Sequence, residues 1–226
     1  MPSTVVHLAL AGLLAAGLLG AAFDLRALAV VFVAAAIPDL DAFASLVIES
    51  GHRAVLHTLL LPLAVGAVCW YDTRYREDSW IRARWDDAGV RVAWVSILSL
   101  AIAGIGLDMF TNGVNVFYPV HDQFYQLDGE VLLSTHDGIV QTFVDLSQST
   151  ADGASSGGGS SGGEVAVGST DDQFYSSGVD PWEGEEPANV ERTFPIVRSG
   201  QQLLLVVTSA VVVGGRLIEQ RIVGES

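Results

Sequence analysis

Seven ionisable residues interrupt otherwise long apolar runs: His7, Asp39, Asp41, His52, Arg53, His57 and Asp108. Neutral imidazole and carboxylate are the ligand types of zinc and other first-row divalent metals, and catalytic sites use three or four per ion. Six of the seven, His7, Asp39, Asp41, His52, His57 and Asp108, suffice for one well-supported metal or for two sharing a carboxylate. The ion expected is a divalent metal, zinc before others. It would lower the pKa of its water toward neutrality and so supply a hydroxide nucleophile. His7, His52, His57 and Asp108 are the first-choice ligands, with Asp39 and Asp41 as shared ligands. The expected catalytic residues are Asp41 as proton acceptor and Arg53 as clamp for an anionic group such as phosphate. Singly, each has a structural alternative: His7 as a membrane-interface histidine, Asp39 or Asp41 as a helix cap, Asp108 as a helix-end residue facing water. His52 and His57 are about 140° apart around a helix. Both reach one ion only if His52 sits in the turn before the helix, a turn that Gly51 permits. His121 and His136 read as ordinary loop residues.

The elements that must position these residues are apolar helices. Residues 5–23 form an apolar run whose nineteen residues span about 28 Å as a helix, close to the thickness of a bilayer core. No basic residue precedes it, which disfavours a cleaved signal peptide. Residues 25–37 form a second run that stops at Pro38 and leads to a short interfacial or re-entrant patch at 42–48. The third, 54–71, contains Pro62, which a membrane helix tolerates as a kink. The fourth and fifth are 90–107 and 201–218. If the first four alternate through a bilayer, the seven ionisable residues lie at helix ends on one face. Ionisable groups at membrane depth are costly, and their convergence there points to a functional site.

Composition limits the alternatives. Half of the 226 residues are hydrophobic and 16% are charged, with a net charge of −15. That apolar half is too large for an acidic disordered chain, and eleven scattered bases do not make a nucleic-acid surface. All eleven bases are Arg. An acid-rich, Lys-free chain suits concentrated salt, where screening offsets self-repulsion, and so suggests a halophile. Cys69 is alone, so no intrachain disulfide can form. Residues 109–200 hold 14 of the 26 acids and two Arg, and so carry −12 of the −15. This segment contains a Gly/Ser linker at 153–163 and an acidic loop at 181–187. Strands or a hairpin are expected within 114–146. The tetrapeptide DQFY occurs at Asp122–Tyr125 and again at Asp172–Tyr175, too short to count as a repeat. Eight Arg fall on the face opposite the site (Arg26, Arg74, Arg76, Arg82, Arg84, Arg91, Arg216, Arg221) and three on the site face (Arg53, Arg192, Arg198). Basic residues near membrane ends favour the cytoplasm, so the site and the acidic loop are expected outside.

Several short elements occur in order: His7 in the first apolar helix; Pro38, Asp39 and Asp41; Gly51, His52, Arg53, His57 and Thr58; Gly106, Asp108, Thr111 and Gly113; then Tyr118 with Pro119. Over residues 1–120 this arrangement resembles the LexA-binding, inner-membrane-associated metal-dependent hydrolases, a family distantly similar to zinc-dependent phospholipase C. The resemblance implies a metal-dependent hydrolase carried in the membrane. Asn112 departs from a Pro common at that position, and the acidic insertion has no family counterpart. An outward-facing site does not suit a cytoplasmic repressor, so neither repressor nor DNA binding is expected.

The fold expected is an all-α polytopic membrane protein of about five transmembrane helices, with a large acidic, partly disordered extracytoplasmic loop carrying a small β-hairpin. Its parts are a four-helix membrane domain at 1–120 holding the metal site, the acidic loop at 121–200, and a fifth helix with a short tail at 201–226. The function expected is hydrolysis of an ester or phosphoester, the substrate being membrane-proximal or a lipid, in the plasma membrane. The alternatives are a non-catalytic protein that binds or transports metal, and a structural protein whose polar residues brace helix ends.

Overall fold

The computed structural model describes residues 3–46, 51–111, 113–129, 131–136, 138–141, 163–171, 173–182, 184, 187 and 189–224. Nearly all of the Gly/Ser linker, Asn112 and Asp172 lie outside the described residues, as do parts of the 42–48 patch and of the acidic 181–187 stretch.

Helix α1 (Thr4–Leu18) carries the first run. At fifteen residues it is shorter than the nineteen expected, because the chain turns at Gly20, whose φ of 56° lies in the left-handed region. A side chain there would also strike the Arg91 guanidinium, 2.8 Å from an added Cβ. Helix α2 (Leu25–Ala36) starts where the Asp24 carboxylate accepts the Ala27 N–H at 2.7 Å, a side-chain cap for an otherwise orphaned donor. Beyond it the chain bends by 45° into a 3₁₀ turn, Pro38–Leu40, and the short α3 (Asp41–Ala44). The bend carries Asp39 and Asp41 to the helix end.

The third run behaves differently from the expectation. Helix α4 (Leu60–Tyr75) begins six residues late, and residues 51–59 form a turn in which Arg53 takes a φ of 67°. Pro62 sits in the first helical turn, where a backbone N–H has no partner in any case, so it opens the helix instead of kinking it. Helix α5 (Trp80–Ser99) is broken at Asp86 (φ 56°, ψ −161°) and runs on through a π-helical turn, Leu100–Gly106, into α6 (Leu107–Met109). Helix α7 (Gly200–Gly224) closes the chain.

The protein is mostly helical. Two stretches, Trp80–Met109 and Gly200–Ile222, are long and apolar enough to cross a membrane, and the bent pair Leu25–Ala44 would make a third. The five spans expected are not reached by length: α1 is a shorter apolar helix, and α4 has sixteen residues with Asp72 and Arg74 in its last turns. Small residues let the helices approach closely. Ala11, Ala15, Ala35 and Ala103 are buried among Leu19, Phe23 and Val31, and a Cβ at Gly104 would lie 2.9 Å from the Ala35 carbonyl oxygen.

Two small antiparallel pairs complete the described residues. Strand β1 (Phe124–Asp128) pairs with β4 (Gly163–Gly168), and β2 (Val131–Ser134) pairs with β3 (Gly138–Gln141). The hairpin expected within 114–146 is β2–β3. The partner of β1 comes instead from the acidic segment, which is thereby tied to the site end of the molecule.

Candidate metal centre

The four helix ends converge. His7 lies in the second turn of α1, Asp39 and Asp41 at the bend after α2, His52, Arg53 and His57 in the turn before α4, and Asp108 in α6. His7, Asp41, Arg53 and His57 are each 0% exposed, Asp108 is 2% and His52 4%. Six titratable groups buried together are intelligible only as a network.

Asp41 organises two of the histidines. One carboxylate oxygen accepts the His52 Nδ1–H at 2.8 Å; the other accepts the His57 Nδ1–H at 2.7 Å and the backbone N–H of Arg53 at 2.9 Å. With Nδ1 protonated on both rings, each Nε2 points away from Asp41. Both Asp41 oxygens are thus spent on N–H donors. It is an orienting carboxylate here, where a shared ligand or proton acceptor was expected; a metal's histidine ligands are commonly held in this way.

His7 is oriented by backbone instead. Its Nδ1–H donates to the carbonyl of Ala103, which lies in the π-helical turn, and its Nε2 has no hydrogen-bond partner. That Nε2 stands 3.7 Å from Asp39 Oδ1 and 3.8 Å from Asp108 Oδ2. The three residues offer ligand atoms within 4.8 Å of one another, the one such group among the described residues. His52 Nε2 is likewise buried without a partner. An orphaned His7 Nε2 between two carboxylates fits a divalent cation: an isolated polar atom in such a place would be costly, whereas a ligand lone pair is satisfied by the ion.

Asp108 is the shared wall of the cluster. Its Oδ2 faces His57 Nε2 at 3.0 Å and its Oδ1 accepts from Arg53 Nη2 at 2.8 Å. Burial disfavours charge on His57, but Asp41 and Asp108 on either side outweigh it and push its pKa up to about 9. An imidazolium is what lets both of its nitrogens face carboxylates. Arg53 is not the open anion clamp expected of it. Its Nη1 donates to the Gly113 carbonyl at 3.2 Å, and the Tyr175 ring covers the guanidinium at 5.2 Å. It is a strut that neutralises and positions Asp108.

Several residues of the site end were not foreseen. Thr4 donates to Asp39. Asn115 is fully buried: its N–H donates to the Arg53 carbonyl at 3.0 Å and its side chain to Asp122 at 2.6 Å, while Asp122 also accepts the Thr170 N–H. Tyr175 packs on Phe124 with ring centroids 5.1 Å apart. These two rings belong to the two DQFY copies, the one sequence signal that pointed to this contact. His121 contacts the Tyr125 hydroxyl, and both His121 and His136 are exposed and apart from the cluster.

Asp39 is the member of the metal group nearest to open space. Its side chain is 23% exposed, and with His52 it lines a cavity of about 570 Å³ whose other walls come from α1, α3 and the segments 176–181 and 191–198. A small molecule can therefore approach the cluster from one side.

Residues 1–157, more than two thirds of the chain, match the family model of the YdjM inner membrane protein. The chain belongs to the YdjM family. Comparison with curated proteins and with solved structures gives no match. The YdjM match contains every residue of the buried cluster and ends before β4 and Tyr175. It also makes the apolar helices those of a membrane protein, with the bilayer as their surroundings. The Phe194–Arg198 wall of the cavity and α7 lie beyond the YdjM match.

Proposed function

We propose that this YdjM-family protein is a membrane-embedded, metal-dependent hydrolase of an ester or phosphoester, with a divalent cation, zinc before others, held by His7, Asp39 and Asp108. The observation that carries the reading is His7 Nε2: fixed by the Nδ1 bond to a backbone carbonyl, buried, without a partner, and facing two carboxylates. His52, with its Nε2 unpartnered, stands ready as a further ligand, and His57, charged between Asp41 and Asp108, as a proton carrier beside the group. When bound, the ion supplies Lewis acidity and acidifies a water toward neutrality. The chain's own residues hold it in an apolar surround, orient the imidazoles, and leave Asp39 beside a cavity in which a substrate can sit. That cavity favours hydrolysis over metal binding alone.

Elemental analysis of the purified protein in detergent is the test. About one divalent ion per chain is expected, with at least tenfold less in His7→Ala, since three ligands per ion leave little affinity after the loss of one. Wild-type metal content in His7→Ala would overturn the assignment. Stoichiometric metal in a protein inert toward lipid and phosphodiester substrates would leave a metal-binding or transport protein.

We further propose that α1 and α4 also cross the bilayer, giving a multi-pass protein of the plasma membrane with its site outside. Arg91 and Arg216 support this orientation: both donate to the Leu19–Gly20 backbone at the end opposite the cluster, where basic residues mark the cytoplasmic side. With Cys69→Ser as background, Ser160→Cys on intact cells should react with an impermeant thiol reagent. Protection from it would invert the topology.

A further inference from the structure

Resting on the hydrolase reading, the cavity beside Asp39 narrows the substrate. Its volume of about 570 Å³ is that of a small-molecule site, and its lining is two-sided. Asp39, His52 and Thr193 give it a polar floor; Phe43, Phe194 and Ile196, at 58%, 69% and 66% exposed, give it an apolar wall. Phe194 is seated in place by Gly178, where an added Cβ would lie 2.3 Å from the ring. The wall is therefore built, not incidental.

Arg198 is the one guanidinium on this lining. It is exposed, its backbone N–H is fixed by the Gln202 side chain at 2.8 Å, and no ion pair engages it among the described residues. Arg53 is enclosed and committed to Asp108, so Arg198 is the cation available to an incoming anion. Glu191 lies on the same lining. With Asp39 it places two carboxylates against one guanidinium and one divalent ion, Asp108 being neutralised by Arg53, which leaves a single net positive charge. A monoanion matches that charge better than a dianionic monoester does. The mouth lies beside Thr4, at the start of α1, and Arg198, two residues before α7 begins; with α1 and α7 as spans it opens at headgroup depth.

We propose that this cavity binds the phosphodiester of a membrane phospholipid, Arg198 engaging the phosphate and Phe43 and Phe194 the first carbons of the acyl chains. Arg198 is then a specificity-determining residue contributed by the segment beyond the family match. The arrangement places the phosphate next to Asp39 and leaves the chains in the bilayer.

The full-length protein in amphipol, titrated with dioctanoyl phosphatidylglycerol, tests this. Binding is expected, with Arg198→Ala weakening it roughly tenfold or more, as loss of a charge-assisted hydrogen bond would, and Phe194→Ala weakening it several-fold. Both side chains are exposed, so both variants should fold and keep wild-type metal content. Unchanged affinity in Arg198→Ala overturns the proposal, as does equal binding of dioctanoylglycerol, which lacks phosphate. Equal binding of glycerophosphoglycerol, which lacks acyl chains, overturns the lipid assignment in favour of a soluble phosphodiester. The two readings fail separately: Arg198-dependent lipid binding by a metal-free wild type sinks the metal centre and keeps the cavity, whereas stoichiometric metal with Arg198-independent binding does the reverse.

Discussion

Asp108→Ala is expected to cost about 3–5 kcal/mol of stability and to abolish metal binding, the largest effect of any single substitution in the chain. The carboxylate is 2% exposed and serves three partners at once: Arg53 Nη2 at 2.8 Å, His57 Nε2 at 3.0 Å and His7 Nε2 at 3.8 Å. Removing it leaves the fully buried Arg53 guanidinium with only the Gly113 carbonyl and the Tyr175 ring, and breaking a buried pair costs far more than its intact net worth. For a chain of this size the melting temperature should fall by on the order of 10 °C. Asp108→Ala combined with Arg53→Met distinguishes strut from ligand. The double variant removes the stranded charge and should regain most of the lost stability, yet it should still hold no metal. Thermal melts with elemental analysis of both variants check this. A double variant as unstable as the single would refute the strut role, and retained metal would refute Asp108 as a ligand. Asp39→Asn is the control, since its side chain is 23% exposed: metal should be lost with little change in melting temperature.

The sites of chemistry were legible because charge inside an apolar run is conspicuous. His7, Asp39, Asp41 and Asp108 each end or interrupt a stretch that would otherwise read as continuous hydrocarbon, and the alternation of helices alone puts them at one end. Their separate roles were not legible. Asp39, Asp41 and Asp108 are the same residue type, and only the donors that reach them make one an orienting carboxylate, one a strut's partner and one the member beside the cavity. Those donors come from residues up to 55 positions away, as in the Arg53 to Asp108 bond.

The start of α4 departs from the apolar pattern for a local reason. Ala54 to Leu61 is as apolar as a helix, and Arg53 gives no hint of its positive φ, a conformation usually signalled by Gly. The tertiary hydrogen bonds of Asp41 to the Arg53 N–H and of the Asn115 N–H to the Arg53 carbonyl hold the turn open against helix propensity. The role of the acidic segment lay further still from view. β1 pairs with β4 across a Gly/Ser-rich stretch, and Tyr175 reaches Arg53 only through that long-range pairing, which no local pattern encodes. Helices α1 and α4 are shorter than their apolar runs because hydropathy registers where such a run ends, and not where Gly20 or a polar turn stops the helix inside it.

Asp41→Asn is expected to weaken metal binding by about 10–100-fold without touching any of the three residues of the metal group. Asp41 is fully buried and accepts three N–H donors: His52 Nδ1–H, His57 Nδ1–H and the Arg53 backbone N–H. An amide of the same shape offers one acceptor oxygen and sets an NH₂ against at least one of those donors. One imidazole must then flip, change tautomer or lose its partner, and a flipped His52 or His57 no longer directs Nε2 away from Asp41. The Arg53 N–H is the donor best placed to keep the remaining oxygen, because losing it would release the turn at φ 67°. Damage should therefore concentrate on the histidines and leave the fold in place. Competition with a chelator of known zinc affinity measures the change, and histidine ring nitrogen shifts by NMR report the tautomers. If Asp41 were a direct ligand, Asp41→Asn would abolish binding outright while the His52 and His57 tautomers stayed as in the wild type. An orienting role predicts the opposite pair of results, with affinity reduced but measurable and at least one ring carrying its proton on the other nitrogen.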